Sequence, residues 1–82
     1  MDSKFFKNSL GLMKAMKDAN LAKITNSVLL DYHRKCHMIY SGMMRYNPPN
    51  KPFINSIVDL HDKLVKEMKK RNIKHNTPLK KV

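Results

Sequence analysis

Ile54-Asn55-Ser56-Ile57-Val58-Asp59-Leu60-His61-Asp62-Lys63-Leu64-Val65-Lys66-Glu67-Met68 is the segment that decides the fold. Ile54, Ile57, Val58, His61, Leu64, Val65 and Met68 recur at the i, i+3, i+4, i+7 spacing that gathers side chains on one face of an α-helix. The charges agree with the chain direction. Asp59 and Asp62 suit the positive N-terminal half of the helix dipole, and Lys66, Lys69, Lys70 and Arg71 suit its negative end. Asn50 or Asn55 can cap the start, and Pro52 is tolerated in a first turn, so a helix is expected over 52–71.

Upstream, Tyr46-Asn47-Pro48-Pro49-Asn50 forms a breaker, because proline removes a backbone donor and restricts the residue before it. A second helix is expected over 26–45. Thr25 or Asn26 can cap it, and Leu29, Tyr32, Cys36, Ile39 and Met43 alternate in steps of three and four along its seam. A first helix is expected over 3–18, capped by Ser3. Phe5, Leu12, Met13 and Met16 lie on one side, flanked by Phe6 and Leu10, and Lys4, Lys7, Lys14 and Lys17 lie on the other. Gly11 costs this helix about 1 kcal/mol relative to Ala, so packing must hold it. After Asn72, Pro78 bars further helix. Residues 72–82 read as a basic tail in which Leu79 tucks back and Lys80, Lys81 and Val82 fray.

The chain of 82 residues is read as one domain, since so short a chain has no material for a second core. Two Gly and little Val-Thr alternation argue against a sheet. The expected fold is therefore all-α, a small three-helix bundle with a Pro-rich loop between helices two and three and a basic C-terminal tail. A helix-turn-helix is disfavoured, because the loop of about six residues exceeds the tight turn of about three to four that the motif uses.

Seventeen Lys and Arg against six Asp and Glu give a formal charge of +11, which attracts polyanions. Solubility alone needs a magnitude of only about 2–8, and here the sign is one-sided. The densest cluster is Lys63, Lys66, Lys69, Lys70, Arg71, Lys74, Lys80 and Lys81, opposed within it only by Glu67. Nucleic acid, DNA or RNA, is the expected partner, contacted at its phosphates without sequence readout. Lys63, Lys66, Lys69, Lys70, Arg71 and Lys74 form the expected surface, with Arg34 and Lys35 added from helix two. Tyr40 and Tyr46 lie near Arg34, Lys35 and Arg45, where a ring can stack on a base, whereas Tyr32 falls in the apolar seam. Met38, Met43 and Met44 hint at a protein partner or a homo-oligomer, although Met also fills cores.

His33-Arg34-Lys35-Cys36-His37 is a candidate metal-binding stretch, where two His four residues apart can reach one ion and Cys36 is a candidate third ligand. Because Cys36 points into the seam and Arg34 and Lys35 add repelling charge, no metal or other cofactor is expected. His61 reads as a hydrogen-bonded core histidine and His75 as a turn residue held by a backbone contact. Catalysis lacks its parts: there is no serine elbow and no glycine-rich phosphate loop, and the carboxylates are scattered. The first helix also fits a membrane-surface helix, with core packing the favoured reading. A lone cysteine, the absence of an apolar leader in the first twenty residues and the lack of about 20 consecutive apolar residues point to a cytoplasmic protein with no membrane insertion.

Leu29-Leu30-Asp31-Tyr32-His33-Arg34-Lys35-Cys36, followed later by Leu60-His61-Asp62-Lys63-Leu64-Val65-Lys66-Glu67-Met68-Lys69-Lys70-Arg71, resembles the pyrimidine-dimer DNA glycosylase family of the phage endonuclease V type across about half of the chain. The resemblance implies an all-α fold that binds and bends duplex DNA, with Arg34 as a DNA contact. Two positions depart from the family. Its catalytic Glu follows the Arg, and Lys35 stands there. Its nucleophile is an N-terminal amine exposed by methionine removal, and the bulky Asp2 should leave Met1 in place. No catalytic residue carries over. The expected function is a non-enzymatic nucleic-acid-binding protein. The alternatives are a divergent glycosylase or AP lyase-like repair protein and a basic subunit of a larger nucleoprotein assembly.

Overall fold

The decisive segment forms α3, Lys51–Lys70, the helix around which the chain is built. Asn50 caps it: its side-chain oxygen accepts from the Phe53 N–H at 3.2 Å, with Pro52 in the first turn. Phe53, Ile54, Ile57, Val58, Leu60, His61, Leu64, Val65 and Met68 are buried, so its apolar face is wide enough to seat two partner helices. The computed structural model describes residues 3–75 and 77–82, without the side chain of Ser3; the expectations placed on Met1, Asp2 and the Ser3 cap lie outside the described residues.

The partners are α1, Ser3–Asp18, and α2, Asn26–Met43, giving an all-α three-helix bundle. α2 is capped by Thr25, whose side chain accepts from the Val28 N–H at 3.2 Å, and it packs more extensively on α3 than α1 does. Leu29, Cys36, Ile39 and Met43 of its expected seam are buried, and Tyr32 packs at the core margin.

On α1 the buried line is Ser9, Met13 and Met16, with Phe5 and Phe6 packed against the core, whereas Leu12 and Leu10 are exposed. The expectation that Leu12 belongs to the core is corrected: the helix is rolled so that small Ser9 meets the neighbouring helices. Phe5 settles over Gly42 of α2, where a Cβ would fall within the van der Waals envelope of the ring.

The end of α3 is a Schellman turn. Asn72 takes the left-handed conformation at φ 58°, its N–H bonds the Lys69 carbonyl at 3.1 Å, and the Ile73 N–H bonds the Met68 carbonyl at 2.9 Å. Ile73 then packs on the core and the tail returns along the bundle. The expectation that residues 80–82 fray is corrected. Tyr40 Oη donates to the Lys80 carbonyl at 2.9 Å, Asn55 Nδ2 donates to the Val82 carbonyl at 3.1 Å, and Asn55 Oδ1 accepts from the Val82 N–H at 2.8 Å. Lys81 pairs with Asp59 at 2.9 Å. Asn55, a candidate cap by sequence, is a clamp for the tail instead. Among the described residues, no helix is long and apolar enough to cross a membrane.

Candidate functional site

The basic residues separate into engaged and free groups. Arg71 is engaged on every arm: Nε donates to Glu67 at 2.9 Å, Nη1 to Asn26 Oδ1 at 2.9 Å and Nη2 to the Leu21 carbonyl at 2.9 Å. It ties the α1–α2 connection to the end of α3 and is largely buried. Three of its five N–H donors are thus used inside the protein, a structural role that the sequence alone did not assign to a residue expected on the phosphate-binding surface.

Arg34 and Lys35 share Asp31, at 2.6 and 2.9 Å, and together hold that carboxyl below the usual carboxylate range through hydrogen bonds first and charge second. Lys63, Lys66, Lys69, Lys70 and Lys74 are all exposed and, among the described residues, form no ion pair. Lys63, Lys66 and Lys70 fall on one strip of α3. Lys63, Lys66 and Lys17 of α1 border a groove of about 430 Å³ whose floor includes Leu60 and whose rim carries Asp59 and Asp62.

The tyrosines named for base stacking are occupied: Tyr40 holds the tail, and Tyr46 meets Phe5 edge-on with ring centroids 6.4 Å apart. Of the three methionines, Met43 is core, while Met38 and Met44 are exposed.

The four histidines of the sequence come together at one point. His33 and His37 project from successive turns of α2, His61 from the centre of α3, and His75 is delivered by the turn at Asn72. His33 Nε2 lies 3.2 Å from His37 Nε2, His37 Nε2 lies 3.2 Å from His61 Nε2, and His61 Nε2 lies 3.1 Å from His75 Nε2. The ligand atoms of all four lie within 4.8 Å of one another. His61 is 1% exposed and the other three are half-buried. On the far side of the His61 ring, Nδ1 lies 3.2 Å from Asp62 Oδ1.

Burial and then mutual repulsion lower the pKa of His33 to about 4, and burial leads the lowering at His37 and His61 as well. Burial thus favours the neutral imidazole at His33, His37 and His61, each with one nitrogen lone pair to give.

His61 is a buried histidine, as the sequence suggested, and it is also the hub of this cluster. His75, expected to be held by a backbone contact, meets the other histidines, its Nε2 3.1 Å from that of His61. Cys36, the sequence's third candidate ligand, stands apart from the cluster in the core, with burial pushing its thiol up to about 12. The available signals were the His pair at i, i+4 and the lone His in an apolar stripe; joining them needed the tail's path.

Compared with protein-family models, curated proteins and solved structures, the chain matches none.

Proposed function

We propose that this protein binds nucleic acid without catalysing a reaction, contacting phosphates through Lys63, Lys66, Lys69, Lys70 and Lys74. The observation that carries the reading is the separation just described. Asp31, Glu67 and Asp59 pair with Arg34, Lys35, Arg71 and Lys81, and the exposed lysines of the C-terminal half of α3 form no ion pair among the described residues. Lysine serves here as a mobile point charge. It neutralises phosphate and releases counterions without reading a base, which fits a surface whose neighbouring tyrosines are occupied.

Fluorescence anisotropy with duplex DNA, single-stranded DNA and RNA of equal length, at several salt concentrations, tests the reading. Affinity should fall steeply with salt, and K66Q/K69Q/K70Q should flatten the log–log slope on duplex DNA by about three units. Absence of binding at low salt would move the charge to an acidic protein partner within a larger assembly, which co-purification after nuclease treatment would detect.

A further inference from the structure

The contacts between the histidines cannot all be hydrogen bonds. A neutral Nε2 carries either one proton or one in-plane lone pair, so it takes part in one good hydrogen bond. His37 Nε2 and His61 Nε2 each face two other Nε2 atoms, at 3.2 and 3.2 Å for His37 and at 3.2 and 3.1 Å for His61. Pairing His33 with His37 and His61 with His75 leaves the 3.2 Å contact between His37 and His61 unsatisfied in every tautomer. A cation at the centre, accepting the lone pair of each ring, removes the conflict.

The spacing fits such an ion. Metal–nitrogen bonds of about 2.0–2.1 Å in a tetrahedron put neighbouring nitrogens about 3.3–3.4 Å apart. Three of the six pairs of ligand atoms lie at 3.1–3.2 Å and all six lie within 4.8 Å, so the histidines draw together around the ion when it binds. Binding through Nε2 requires the proton on Nδ1, and at His61 the Asp62 carboxylate stands in place to accept it, the outer-shell arrangement usual for metal-bound histidine.

We propose that His33, His37, His61 and His75 bind one Zn²⁺-class divalent cation in a closed, four-nitrogen site. Imidazole without thiolate suits Zn²⁺ and its neighbours in the first transition row and disfavours the hard oxygen-seeking Mg²⁺ and Ca²⁺. With four protein ligands no position is left for substrate, so the ion is structural. It joins α2, α3 and the tail. A chain of this size has a small core, and a metal staple is a common supplement to one. The site uses none of the lysines of the phosphate surface, although Lys74 adjoins His75 in the chain, and its test is read from the metal and not from nucleic-acid binding.

The test uses the full chain without a polyhistidine tag, purified and analysed for bound metal, then stripped and titrated with Co²⁺ and Zn²⁺. One equivalent of metal and the intense visible absorption of tetrahedral Co²⁺ are expected, together with a zinc-dependent rise in the melting temperature. H75Q is the key variant, since it lies outside the helices and leaves the buried core intact; far-UV circular dichroism checks its fold. It should lose the tetrahedral spectrum, while C36S should keep it. Failure to bind one equivalent, a weak octahedral Co²⁺ spectrum, or an H75Q variant that retains the tetrahedral site would each overturn the proposal.

Discussion

His75 Nε2 lies 3.1 Å from His61 Nε2 across fourteen positions of sequence, and the turn at Asn72 makes that approach possible. Asn72 is the described non-glycine residue with positive φ, at 58°, and its two Schellman bonds reverse the chain at the end of α3. N72G should keep or slightly raise stability. N72V should lower stability by about 1–2 kcal/mol, because a β-branched residue fits the left-handed region poorly. N72V should also weaken Co²⁺ binding, because His75 is displaced. Urea denaturation and a metal titration on both variants check this. Equal metal affinities would mean that the turn does not govern the position of His75.

Asp62 should tune the metal centre without belonging to it. Its Oδ1 lies 3.2 Å from His61 Nδ1, placed to hold the proton there when Nε2 binds the metal. D62N keeps the shape and loses the negative charge, and a metal affinity about 10–100-fold lower is expected, as for other outer-shell partners. Competition with a chelator of known affinity measures it, and an unchanged affinity would remove Asp62 from the site.

The metal-free protein should be acid-sensitive in a defined window. His33 titrates near 4 when folded, and His37 and His61 also sit below their ordinary value of 6.5, chiefly through burial. Between about pH 4 and 6.5 the unfolded chain therefore binds more protons than the folded one, so stability falls as pH falls through that range and levels off above it. The groups facing the cluster are the four imidazoles themselves, from α2, α3 and the tail, and Asp62, which opposes the lowering only at His61. Urea midpoints of the metal-free chain at pH 5 and 7.5 should differ, and H33Q should narrow the difference. Identical slopes for the two proteins would show that His33 is not the titrating group.

The helices were legible in the sequence because each rests on local signals. Thr25 and Asn50 cap where they stand, and the seam of α2 and the stripe of α3 repeat at the helical period. Leu12 is exposed against expectation, and Ser9 is buried, because periodicity fixes a face only to within a fraction of a turn, and the roll of α1 is set by neighbours such as Phe5 over Gly42. The histidine cluster depends on contacts across 24 and 14 positions that no period encodes. For the same reason Arg71 read as surface charge, although it bonds partners 45 and 50 positions away.

Arg71 is expected to act on stability and not on ligand binding. R71A leaves Glu67, itself largely buried, without its partner and unties Leu21 and Asn26, for a loss of about 1.5–3 kcal/mol. R71K should recover little of it, since an ammonium cannot span three directions at once. Neither variant should change the salt slope of nucleic-acid binding, in contrast to K66Q/K69Q/K70Q. A flattened slope in R71K would return Arg71 to the phosphate surface.

The two glycines, both inside helices, should respond differently to alanine. Nothing lies within 4 Å of a Cβ at Gly11, so G11A should gain about 1 kcal/mol from helix propensity alone. A Cβ at Gly42 meets the far edge of the Phe5 ring, so the same propensity gain is offset by moving that ring from α2 and from its edge contact with Tyr46. G42A should therefore fall at or below the wild type. In an F5L background, where the shorter side chain leaves room, G42A should recover the gain seen at Gly11. The cycle of wild type, F5L, G42A and the double variant isolates that coupling by chemical denaturation. Additive effects at the two positions would mean that the ring does not rest on the α2 backbone.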